Sequence, residues 1–97
     1  MAYKIIWSPE AISDFNKVID YLFENWTDRE IEFFVKETNH VIKLISKNPY
    51  LFRGSEKENI FEAVITKQNV LLYQLDLNHK TVELLTIFDT RQNPKKK

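Results

Sequence analysis

The side chains best suited by type to act on a phosphate are Arg53, Glu62, Lys67, Tyr73, Arg91 and Lys95. Cutting RNA at a 2′-hydroxyl needs a base for that hydroxyl, an acid for the leaving oxygen and a cation beside the phosphorane. Each acid–base role is worth about 10²–10⁴-fold. Glu62 and Tyr73 are the acid–base candidates, with Arg91 as the cation whose planar fork suits phosphate or carboxylate equally. Every one also has a plain structural role. Tyr73 suits a cross-strand aromatic, Glu62 an ion-pair partner, and Arg91 a tail anchor on Asp89 or a helix carboxylate. His79 falls in a turn and His40 off the apolar stripe of its helix, so both read as surface residues. A single Gly rules out a phosphate-cradling glycine loop, and the absence of Cys removes thiolate nucleophiles and zinc–cysteine sites. No His/Asp cluster has metal spacing, so no metal and no cofactor is expected.

The elements that must position these groups follow from periodicity. Residues 3–7 form a short aromatic and β-branched strand, and Ser8-Pro9-Glu10 then supplies an N-cap, a Pro at N1 and a first-turn acid. Ile12, Phe15, Val18, Ile19, Leu22 and Phe23 give the next helix one apolar face, with Trp26 at its end. A T-x-x-E capping box at Thr27 and Glu30 opens a longer helix, whose stripe runs through Ile31, Phe34, Val35, Thr38, Val41, Ile42 and Ile45 until Asn48-Pro49 stops it. The short connection predicts an antiparallel helical hairpin. The polar stretch 50–59, which holds Arg53 and the only Gly, reads as a loop. Strands follow at 60–66, 70–75 and 81–88, joined by hairpin-length turns. Phe61, Ala63 and Ile65 should share one side of the sheet, and Val82, Leu84, Thr86 and Phe88 one side of the last strand.

The expected fold is therefore α+β: one two-layer domain over residues 1–97, in the order β-α-α-β-β-β, with the hairpin packed on a mainly antiparallel sheet. Because the last strand is apolar on both sides, one sheet face should be left for a partner. Lys+Arg and Asp+Glu each number 14, which argues against a sequence-wide electrostatic grip on nucleic acid. The basic residues Arg91, Lys95, Lys96 and Lys97 gather at the C-terminus. No apolar run approaches the ~20 residues that span a bilayer, so a soluble, cytoplasmic chain with no membrane partner is expected.

The opening Tyr3-Lys4-Ile5-Ile6-Trp7-Ser8-Pro9-Glu10-Ala11, Asp20-Tyr21-Leu22 in the first helix, the Asn48-Pro49 stop and the ending Ile87-Phe88-Asp89-Thr90-Arg91-Gln92-Asn93-Pro94 together resemble the RelE/ParE toxin superfamily. The resemblance covers nearly the whole chain and rests on the order and spacing of these pieces. It implies the toxin of a type II toxin–antitoxin, plasmid-stabilisation module, bound and neutralised by a cognate antitoxin, with homodimerisation through the hairpin or an apolar strand face also expected. ParE-like members block DNA gyrase without hydrolysing nucleic acid; RelE-like members cut messenger RNA on the translating ribosome. The thin set of catalytic groups favours the ParE-like reading, with an mRNA interferase or a detoxified, purely regulatory relative as the alternatives. Relatives carry a basic residue near the start of the strand in which Glu62 stands, a departure that weakens an RNA-binding face. Arg53, Lys67, Phe88, Arg91 and Lys95 are the expected contacts to target or antitoxin; Arg91, Glu62 and Tyr73 are the catalytic set of an interferase.

Overall fold

The computed structural model describes residues 2–55 and 57–90. Strand β1 (Lys4–Trp7) leads through Ser8 into helix α1 (Pro9–Asn25), and α2 (Asp28–Lys47) returns antiparallel to it. A 3₁₀ turn at Pro49–Leu51 follows, then strands β2 (Arg53–Ser55), β3 (Ile60–Thr66), β4 (Asn69–Asp76) and β5 (Thr81–Asp89). The sheet order is β1-β5-β4-β3-β2, with β1 parallel to β5 and every other pair antiparallel. The expected α+β order holds, with one addition: the loop read at 50–59 contains β2. A three-residue strand carrying Gly and no alternation leaves no periodic signal; it forms because β3 offers it an edge.

Each helix starts as its sequence dictates. The Ser8 hydroxyl accepts from Ala11 N–H at 3.0 Å. At α2 the Glu30 carboxylate accepts from Thr27 N–H at 3.1 Å and from the Thr27 hydroxyl. That hydroxyl is the main reason the Glu30 carboxyl titrates below its ordinary value of 4.5. Phe34, Val41 and Ile45 of α2 and Ala11 of α1 pack on Phe61, Ala63, Leu71, Leu84 and Ile87 of the sheet. Phe15 stacks on Phe34 with ring centroids 5.3 Å apart, which ties the two helices together. Thr38 is buried without cost because its hydroxyl donates to Phe34 O at 2.8 Å. Two members of the α1 stripe do not join the core, since Ile12 is 48% and Phe23 71% exposed.

The last strand corrects a second expectation. Leu72 pairs with Thr86 but Tyr73 with Leu84, so Leu85 is an extra residue on β5. Such a bulge shifts the side-chain phase by one. Ile87, rather than Thr86 or Phe88, therefore continues the buried row of Val82 and Leu84.

An aromatic post fixes the start of the short strand. The Tyr73 hydroxyl donates to Pro49 O at 2.6 Å, Tyr73 stacks on Phe61 at 5.5 Å, and Phe61 meets Tyr50 edge-on at 5.7 Å. Gly54 lies opposite Phe61, where a Cβ would fall 2.5 Å from both the Phe61 ring and Ile60 O. Gly54→Ala should therefore destabilise by about 1–3 kcal/mol, read by urea denaturation, because backbone and ring must shift. The cap at α2 gives a pH test. Since folded Glu30 titrates below 4.5, its contribution is complete above that value and is lost as pH falls through the folded pKa. Thr27→Ala should thus lower the urea midpoint at about pH 7, and the gap to the parent should narrow as pH falls through the folded pKa.

Candidate binding face and the family it points to

The sheet side turned away from the helices is open. Val64 is 62% and Ile6 42% exposed there, with Leu72, Leu85 and Phe88 half-buried beside them. Toward the β2 edge, Phe52, Arg53, Glu62, Val64, Val70 and Phe88 line a shallow cleft of about 570 Å³. Register sets this neighbourhood: Arg53 faces Glu62, Val64 faces Val70, and Val70 faces Phe88. The Arg53 Nε lies 3.7 Å from Glu62 Oε2, with the arginine side chain 86% and the glutamate 39% exposed. An exposed pair of this kind contributes about 0–1 kcal/mol. It nonetheless gives each charge a local partner and leaves the cleft with little net field.

Three of the expected site residues thus come together: Arg53, Glu62 and Phe88. Lys67 does not join them. It sits in the β3–β4 turn against the helical hairpin, five residues and roughly 16 Å along the strand from Glu62. Tyr73 points to the opposite side of the sheet and is fully buried, and burial pushes its phenol well above the ordinary value. A phenol so enclosed, already donating to Pro49 O, has no access to a substrate on the open face. In this structure it is a core strut. Arg91 and Lys95 lie outside the described residues. His40 is an exposed residue of α2, and His79 is paired with Asp76 at 2.9 Å in the β4–β5 turn. That hydrogen bond is the main reason the Asp76 carboxyl titrates below its ordinary value.

Sequence reasoning missed Val64, Val70 and Leu72 as members of this face, although an aliphatic residue on the polar side of each strand was the available signal. Asp14 was missed too. Its carboxylate accepts from Ile87 N–H at 3.1 Å and from the Thr86 hydroxyl, closing the edge of β5 where β1 has ended. Nothing in its spacing announces this, because the contact spans 73 positions. Among the described residues no group of three His, Asp or Glu could hold a metal ion. No described helix is long and apolar enough to cross a membrane.

Residues 5–94 match the family model described as the ParE toxin of the type II toxin–antitoxin system, parDE. Among solved structures, the chromosomal ParDE toxin–antitoxin system of P. aeruginosa superposes with TM-score 0.72 at 14% identity, covering 91% of this chain and 96% of that one. The E. coli toxin RelE, in a mutant free state, gives TM-score 0.67 at 11% identity, covering 96% and 88%. The toxin–antitoxin complex RelBE2 of Mycobacterium tuberculosis gives 0.62 at 20% identity, covering 92% and 99%. No curated protein matches the sequence. At such identities the structures establish the RelE/ParE-like fold, and the match over nearly the whole length establishes the rest: the chain belongs to the ParE toxin family of type II toxin–antitoxin systems.

Proposed function

We propose that this toxin arrests growth in the cytoplasm by a ParE-like, non-hydrolytic block of DNA gyrase. The observation that carries the reading is the dispersal of the groups that RNA cleavage would need. Tyr73 is buried on the far side of the sheet, Lys67 lies at the hairpin, neither histidine is on the open face, and Glu62 is already beside Arg53. A face of Val64, Leu72 and Phe88 flanked by one ion pair is suited to hold a protein surface by area and shape. Arg53 and Phe88, with Arg91 and Lys95 beyond the described residues, are its proposed contacts to gyrase.

The alternative is a ribosome-dependent mRNA interferase, favoured by the fold likeness to E. coli RelE. Primer extension on messenger RNA in a reconstituted translation reaction separates the two. Intact message is expected from a preparation that arrests growth on expression. New codon-aligned 5′ ends, lost in Arg91→Ala, would overturn the gyrase reading. Tyr73→Phe provides a second check: leaving Pro49 O without its donor should cost about 1–2 kcal/mol of stability while growth arrest by the folded protein persists. A variant that folds normally yet no longer arrests growth would put the phenol back into the chemistry.

A further inference from the structure

Helix α2 carries two rows of side chains. Phe34, Thr38, Val41 and Ile45 form the buried one. Lys36, His40, Lys43 and Lys47, at steps of four, three and four, form an exposed one. At about 100° per residue the two rows stand almost half a turn apart, so the second is a ridge pointing away from the sheet, on the side of the molecule opposite the open face. From Lys36 to Lys47 it runs about 16 Å at ~1.5 Å per residue. The Tyr3 N–H donates to Ser46 O at 2.8 Å, and the Lys80 ammonium lies over the Tyr3 ring, 5.4 Å from its centroid, which brings a further cation beside the last turn.

The ridge differs from an ordinary solvated helix face in its lack of acids. No Asp or Glu occurs from residue 38 to residue 55, although acids and bases are equal in number over the chain. The positions three and four residues from Lys43 hold Asn39, His40, Ser46 and Lys47, so no helical partner is offered to it. Lys43 and Lys47 are instead like charges one turn apart, a spacing that destabilises a helix. The helix C-terminus accounts for Lys47 in the last turn but not for Lys36 and Lys43 further back. Among the described residues Lys36, Lys43 and Lys47 make no ion pair, Lys36 in spite of Glu32 one turn before it. A local rule broken without a compensating contact inside the chain points to a contact outside it.

We infer that this ridge lies against the phosphate backbone of duplex DNA. A strand of duplex lying along it presents a phosphate every ~3.4 Å of axis, so each lysine has one within reach. The row holds no aromatic on which an unpaired base could stack, the exposed Phe33 standing a turn before it, and lysine ammoniums grip phosphate as point charges without reading sequence. The part this contact plays in growth arrest rests on the gyrase reading: the open face meets the enzyme, and the ridge meets the DNA that the enzyme holds.

The test is fluorescence anisotropy of a labelled DNA duplex of about 20 base pairs and arbitrary sequence, titrated with the purified full chain between ~50 and ~200 mM salt. Three lysine–phosphate contacts give log K against log salt a slope of about −3. Lys43→Gln/Lys47→Gln should bind about 10-fold or more weakly at the low-salt end, with a slope near about −1. Lys17→Gln/Lys57→Gln, which removes equal charge away from the ridge, should stay within about 3-fold of the parent. Lys43→Arg/Lys47→Arg should bind like the parent, which separates lost charge from lost folding. Absence of binding by the parent at ~50 mM salt, or equal loss in both glutamine pairs, overturns the inference. So does tighter binding to an RNA duplex of the same sequence, or displacement of the DNA by poly-glutamate at equal charge, which would assign the ridge to an acidic protein segment. Supercoiling assays keep the two readings apart. Ridge-dependent DNA binding by a chain that leaves gyrase active removes the gyrase reading and leaves the ridge; inhibited gyrase without duplex binding does the reverse.

Discussion

The architecture depends on what Ser8 does at the end of the first strand. Its N–H continues the parallel ladder to Leu84 O at 3.1 Å, its hydroxyl donates to Leu85 O, and the same oxygen caps α1. One residue thus ends a strand, starts a helix and anchors both to the bulge in β5. Because the Leu85 bulge turns Ile87 inward, the core row Val82, Leu84, Ile87 stays continuous under the helices. Asp14, almost two turns further along α1, then takes up the main-chain donor that a longer β1 would have used. The helix layer and the sheet are therefore bonded together along β5, and the packing of Phe15 and Phe34 fills what that joint defines.

From this joint follows the division of the surface. Two helices can cover only one side of a five-stranded sheet, so the other side keeps Ile6, Val64 and Phe88 within reach of solvent. Stopping β1 at Trp7 has a second effect: the space beside α1 and the far half of β5 is left unfilled by any element of the described chain. At the β2 edge of the open face Arg53 and Glu62 stand opposite one another.

Much of the fold was legible because its signals are local. Ser-Pro-Glu and Thr-x-x-Glu fix helix starts within a turn, and the spacing of Phe34, Thr38, Val41 and Ile45 fixes the buried face of α2. What was not legible depends on distant pairing. The strand at Arg53–Ser55 exists only against β3, and the phase change at Leu85 comes from an insertion that alternation alone does not reveal. Phe23 fits the stripe of α1, yet that stripe runs past the sheet it covers, so Phe23 remains exposed. For the site, Arg53, Glu62 and Phe88 were found as types and brought together by register, whereas Tyr73 was displaced from it by the simple parity of its strand.

The proposed block of gyrase requires this surface to act by contact. Supercoiling of relaxed plasmid by purified gyrase and ATP, titrated with a toxin preparation that arrests growth, tests it most directly. A contact block gives dose-dependent loss of supercoiling that added antitoxin reverses. Undiminished supercoiling at a large excess of that same toxin would contradict it.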